Sequence, residues 1–383
     1  ADLYWPEGLD GPSYDIWAGQ AAVVSGTGPP LSVLGYEWSG FRASEIDGHP
    51  RGGHRTVLLA APTACPAYRI GGRMLEDGMA GPELGTALYE QVHTERVVDS
   101  VAELWSELDA AGGTCGDTRW ITFGHHSAYA VPQQIDWTLD ENAPSRETVV
   151  EIYSEHGSSE CVDVAEEGCS WGVPDGAEYD PNGAIQVALE RGYPLGFVAG
   201  TDSHDARPGS IADGPGPVGR WVDTDADGVG DELVRHKLSG GLTGLVVQGD
   251  LTTDALFDAL EERGTVATSG PRPADLGVVA IGADLVEYPF GALVPPEALP
   301  LTIRAWVPFD GEGLVSIERI EARGGRSVVA DAMGGPGFES TWDPDHAGFT
   351  YLRVRYLYDD AEQGAFDGED RLWVSPWFAE PAP

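Results

Sequence analysis

The chain has 383 residues, 42% of them hydrophobic, with 52 glycines, 28 prolines and 12 tryptophans; this suits two or three domains with a sizeable core and many turns, and excludes a disordered chain. Aspartate and glutamate number 63 against 22 lysines and arginines, a formal net charge of -41. A surface this negative repels phosphate backbones and anionic lipid, which argues against nucleic-acid and membrane-surface partners.

In chain order, Leu31 to Tyr36 (LSVLGY) and Thr56 to Ala61 (TVLLAA) are apolar runs of strand length. Thr94 to Ala111 carries apolar residues at helical spacing (Val97, Val98, Val101, Leu104, Trp105, Leu108), with Thr94 as cap and Gly112-Gly113 as stop. Trp120 to Gly124 (WITFG) and Thr148 to Tyr153 (TVVEIY) are strands. A helix fits Gly183 to Arg191, and strands fit Leu195 to Gly200 (LGFVAG) and Leu242 to Gln248. Thr253 to Arg263 is a helix and Thr265 to Ser269 a last short strand. Strands alternating with helices predict a parallel α/β architecture over residues 1–277. From Val278 the pattern changes: Leu301 to Val307, Val315 to Ala322, Tyr351 to Tyr358 and Leu372 to Phe378 are strands with turn clusters between them. Residues 278–383 are therefore expected to form a small all-β, sandwich-like domain.

No run of 18 apolar residues occurs, and the opening Ala-Asp-Leu-Tyr-Trp has no signal-peptide character, so the chain reads as a mature product or a fragment. Of the four cysteines, Cys161 and Cys169 bracket a short polar loop, where a disulfide would stabilise by roughly 2.5 kcal/mol; Cys65 and Cys115 could form a second. Disulfides would make the protein secreted or periplasmic; the alternative is four free thiols in a cytoplasmic protein. No CxxC is present to build a zinc knuckle.

The chemistry lies where polar residues follow strands. Glu37 follows LSVLGY, His125 and His126 follow WITFG, and Asp202 and His204 follow LGFVAGT. Residues at strand ends converge in α/β barrels, and mixed oxygen and nitrogen ligands favour zinc, manganese or iron. Asp202 and His204 are two apart, so in extended backbone their side chains point the same way. Glu151, inside its strand, faces either the site or a salt bridge. Arg272 in TSGPR suits an anionic substrate or a structural role. His156, in a loop, carries no expectation.

The set GYEWSG, GGHRTVLL, ITFGHHSAY, VEIYSEHGSSE, GFVAGTDSH and ATSGPRP resembles the secreted bacterial branch of the PHP (polymerase and histidinol phosphatase) superfamily, over roughly residues 13–275. The resemblance implies a distorted (β/α)7 barrel whose strand ends hold up to three divalent metals. It matches Glu37 to a bridging carboxylate and His54 to the histidine sharing a metal with it. His125, or alternatively His126, matches a further ligand, and Asp202 and His204 match the closing Asp-x-His. The implied activity is hydrolysis of a small-molecule or polymer-derived phosphoester by a hydroxide formed on the metals. Glu37, His125 and Asp202 would be catalytic, with Glu151 and Arg272 on the substrate. Neither the family's opening His-x-His nor its Asp-His precedes Glu37, so the resemblance implies a barrel lacking its first strands and low activity for this chain.

Asp223, Asp225, Asp227, Gly228 and Asp231 have the DxDxDGxxD spacing of calcium loops, similar to thrombospondin type 3 repeats, with Val234 where an acid would close the loop. This marks residues 223–234 as a calcium-type insertion. The competing functional reading is a non-catalytic, calcium-stabilised binding module on a decayed PHP barrel.

Overall fold

The structure is a computed structural model. It describes residues 33–40, 53–60, 70–72, 96–98, 100–116, 118–129, 135–154, 156–163, 179–202, 219–222, 232–235, 240–269, 276–307, 313–333, 337–344, 348–358 and 369–380.

The first part runs β1 (Leu34–Gly40), β2 (Gly53–Leu59), β3 (Ile70–Gly72), β4 (Arg96–Val98), α1 (Val101–Cys115) and β5 (Trp120–Gly124). β2 lies between β1 and β5 and pairs antiparallel with both. α1 begins later than the apolar spacing predicts. Ser100 caps it, its hydroxyl accepting from the Glu103 N–H at 3.3 Å, and residues 96–98 pair with β3 as a strand instead. Gly116, at φ 87, ends the helix with its N–H on the Gly112 carbonyl, a left-handed cap that glycine adopts without strain. Val101, Leu104, Trp105 and Leu108 bury against Leu34, Tyr36, Trp38, Val57 and Leu59.

Next come β6 (Val149–Ser154), β7 (Gly157–Ser158), α2 (Ile185–Glu190) and β8 (Gly196–Ala199). β6 and β8 pair in parallel, with α2 between them in sequence. Every residue of β6 and of β8 is buried, which is why β8 reads as a continuous apolar run and β6 is apolar but for Glu151 and Ser154. β9 (Gly219–Val222) and β10 (Glu232–Arg235) form an antiparallel pair. β11 (Leu242–Leu245) and β12 (Thr265–Thr268) are antiparallel partners flanking α3 (Thr253–Glu261), which Thr252 caps through the Ala255 N–H.

The remainder is strands: β13 (Gly277–Ile281), β14 (Glu287–Tyr288), β15 (Leu293–Val294), β16 (Leu301–Trp306), β17 (Gly313–Glu321), β18 (Gly325–Met333), β19 (Gly337–Trp342), β20 (Gly348–Tyr358) and β21 (Glu369–Ala379). A seven-stranded sheet runs β11-β12-β21-β20-β17-β18, with β15 also on β21; a four-stranded sheet runs β14-β13-β16-β19. The two sheets share one core, in which Ile303, Ala305 and Trp342 meet Val315, Leu352 and Val374.

The expected (β/α)7 barrel is not what forms. The described residues are mostly strands in several sheets, largely antiparallel, with three α-helices among them. The physical reason is visible at β1 and β2. A parallel crossover needs a connection that packs back over the sheet, usually a helix, and residues 41–52 (FRASEIDGHPRG) have no helical apolar spacing; the chain returns antiparallel. Strands beyond residue 277 also contact the first part: Val266 of β12 pairs with Val374 of β21, and the Ser375 hydroxyl accepts the Phe197 N–H at 2.8 Å. Ile152 and Phe197 share a core with Tyr351 and Trp373. No helix among the described residues is long and apolar enough to cross a membrane.

Candidate metal centre

Register arithmetic brings three side chains to one face. Glu37 of β1 sits opposite Thr56 of β2, and Thr56 opposite Phe123 of β5. His54 is two residues from Thr56 and His125 two from Phe123, so both share Glu37's side of the pleat. The ladder continues one step past β5, where the His125 N–H reaches the His54 carbonyl at 3.4 Å. His54 Nδ1 contacts Glu37 Oε1 directly, and His125 Nε2 lies 3.6 Å from that oxygen. The intervening Arg55 points to the other face, fully buried, with Nε on Glu147 Oε1 at 2.7 Å.

The second half of the site comes from the parallel pair. Parallel strands end on the same side, so the segments leaving β6 and β8 meet there. His156 Nε2 stands 3.0 Å from Asp202 Oδ2. His125 Nδ1 and His126 Nε2 lie 3.8 and 3.9 Å from the same oxygen. Glu151 accepts the His126 N–H at 3.3 Å and lies 3.9 Å from His125 Nδ1. Two groups result, one of Glu37, His54, His125 and His126, the other of His126, His156 and Asp202. In each, the ligand atoms lie within 4.8 Å of one another and could hold a metal ion. His126 belongs to both.

Burial and charge act together here. Burial would raise the Glu37 carboxyl, but the His54 and His125 imidazoles overrule it and hold it well below the usual range. Burial would lower His125; Glu37, with Asp202 and Glu151, lifts it instead to about 9. Burial, reinforced by the neighbouring imidazoles, keeps His126 well below its ordinary value. Glu151 is pushed by burial to about 7. Burial would raise Asp202, but the hydrogen bond from His156 together with the charges of His156 and His125 lowers it.

The residues fit a metal on independent grounds. Among the described residues His126 Nδ1 is buried and makes no hydrogen bond, and His125 Nε2 is buried with Glu37 Oε1 beside it at 3.6 Å, an arrangement that costs stability unless something else binds them. His126 and Asp202 take left-handed backbone, φ 35 and 52, the strained kind of position that clusters at functional sites. Asp202 is thus not in the extended backbone expected for a two-apart pair with His204.

Glu37, His54, His125, His126 and Asp202 are together, with Glu151 beside them. His204, Arg272 and the calcium-type residues Asp223, Asp225, Asp227 and Asp231 lie outside the described residues. Sequence reasoning passed over His156, although it follows β6 as His125 follows β5. Cys115 and Cys161 are disulfide-bonded, which overturns the free-thiol alternative for them; Cys65 and Cys169 lie outside the described residues. No family model, curated protein or solved structure matches this chain.

Proposed function

We propose that the chain is a metal-dependent hydrolase acting on phosphoesters, using divalent zinc, manganese or iron. One observation carries the reading: two ligand groups share a single buried imidazole, His126. Adjacent metal ions suit in-line displacement at phosphorus, where both the attacking and the leaving oxygen need stabilising. Divalent ions there would supply Lewis acidity and a water of lowered pKa.

The chain's own side chains supply the rest. Glu37, His54 and His125 would hold one ion, and His126, whose neutral imidazole offers a single lone pair, would join His156 and Asp202 on the other. Glu151 fixes the His126 backbone and stands beside His125, placed to hold a proton next to the reacting groups. Divalent ions held there would also offset the field of a strongly acidic protein toward an anionic ester. The order of Glu37, His54, His125 and Asp202 along the chain, shared with PHP proteins, supports the same chemistry. The disulfides at Cys115 and Cys161 support a secreted or periplasmic location.

The test is a panel of phosphomonoesters, phosphodiesters, lactones and amides assayed with added Mn2+. Phosphoester turnover that stops with chelator and with Asp202→Asn is expected. Manganese-loaded protein that turns over neither phosphoester class overturns the reading.

A further inference from the structure

Four residues beyond His156 lies a carboxylate that the metal centre does not use. Glu160 is 2% exposed. Its Oε1 accepts from the Tyr351 hydroxyl at 2.7 Å and from Arg353 Nη1 at 3.1 Å, and its Oε2 from Trp373 Nε1 at 2.8 Å. All three donors belong to β20 and β21. Arg353 is gripped from its other side by Glu318 of β17, at 2.6 Å. Glu160 is thus the point where the C-terminal sheet takes hold of the segment running back to His156.

The segment reaches the other ligands as well. The Ser159 N–H bonds the Ile152 carbonyl of β6 at 3.0 Å. The Ser159 hydroxyl accepts the Ala128 N–H at 3.2 Å, two residues beyond the strained His126. The Ser159 and Glu160 carbonyls accept the Ile185 and Gln186 N–H groups of α2. On the far side, Cys161 is disulfide-bonded. The stretch from His156 to Cys161 is therefore a bracket. It supports His156 at one end, the His125–His126 turn in the middle, and rests on the C-terminal sheet through Glu160.

Buried ion pairs add little net stability over well-packed apolar residues. What this one supplies is geometry. A ligand set works only when its side chains are held at metal-ligand distances, and the groups that orient them set affinity. We propose that Glu160 is a positioning residue for the metal centre, through which the C-terminal sheet holds His156, and with it the His126, His156 and Asp202 group, in ligating geometry. The proposal rests on the metal-binding reading above.

The experiment is calorimetric titration of the whole chain with Mn2+. Wild type is expected to show two classes of site, and His156→Ala, which deletes a ligand outright, identifies the class formed by His126, His156 and Asp202. Glu160→Gln should weaken that class by about tenfold to a hundredfold, and leave the other within about threefold. Glu318→Gln, which perturbs the same Arg353 from the side away from the site, should lower the melting temperature comparably yet leave both classes within about threefold. Tyr351→Phe removes one of the three donors and should weaken the same class as Glu160→Gln, by less; it decides the matter if Glu160→Gln does not fold. Wild type that binds Mn2+ in both classes, with neither Glu160→Gln nor Tyr351→Phe moving the His156 class, overturns the positioning role alone. So does Glu318→Gln moving that class as much as Glu160→Gln. Wild type that binds no Mn2+ overturns this role and the metal reading together.

Discussion

The imidazoles around His126 and the guanidinium of Arg353 are linked by the segment from His156 to Glu160, and they meet burial in opposite ways. Around Arg353, charges of opposite sign close on one another: Glu160 and Glu318 take its nitrogens, and Arg355, Arg371 and Glu369 continue the pattern along the sheet. Around His126, imidazoles crowd together, His126 Nδ1 makes no hydrogen bond among the described residues, and two residues carry left-handed backbone. A cluster whose charges offset one another holds a fold together; one that gathers metal-ligating groups on strained backbone is set to receive an ion. The two regions differ in purpose though both are buried and charged.

The largest effect expected from breaking the contrast is at the shared imidazole. His126→Ala should reduce phosphoester turnover by more than about a hundredfold, beyond what a change in a ligand's neighbours causes, in a steady-state assay with saturating Mn2+. Asp202→Asn sharpens it. Asparagine tolerates positive φ, so the melting temperature should stay near wild type while turnover is lost. On the other side, Arg353→Ala leaves Glu160 and Glu318 buried without their central cation and should cost about 3–5 kcal/mol in denaturant unfolding.

A pH titration separates the regions more gently. Burial would raise Glu318, but Arg353 and Arg326 hold its carboxyl below the ordinary range; Glu369 is likewise held down by Arg355 and Arg371 against its burial. A depressed folded-state pKa gives stability that is present above the unfolded value and lost as pH falls through the folded one. The stability difference between wild type and Glu369→Gln should therefore be full above about pH 4.5 and shrink below it, followed as urea midpoint against pH in metal-free protein.

Much of this was readable from residues, and the parts that were not have physical reasons. WITFG, TVVEIY and LGFVAG are strands because short β-branched and apolar runs bounded by glycine or polar residues have few alternatives, and the polar residues just beyond them do gather. What such a run does not encode is its partner. Strand direction and pairing depend on the connection and on distant segments, so β1, β2 and β5 read as barrel strands yet pair antiparallel. The link between β12 and β21 was hidden for the same reason. His156 was missed because Glu155-His156-Gly157 looks like an ordinary turn, although the strand-end rule that picks His125 and Asp202 applies to it equally. The Glu160 bracket has no local signature; its donors lie about two hundred residues away.

The smallest effect lies outside both clusters. The Asp223 to Asp231 spacing predicts that calcium raises the melting temperature by a few degrees, through binding the folded chain alone. Asp225→Ala should abolish that response in differential scanning fluorimetry; a response that survives the substitution places calcium elsewhere.

The most direct test of the central claim is elemental analysis of the full chain after equilibration with Zn2+ or Mn2+ and removal of free ion. The two ligand groups meeting at His126 predict two ions per chain in wild type, and at most one, weakly held, in His126→Ala. Wild-type protein that retains no transition metal would contradict the account.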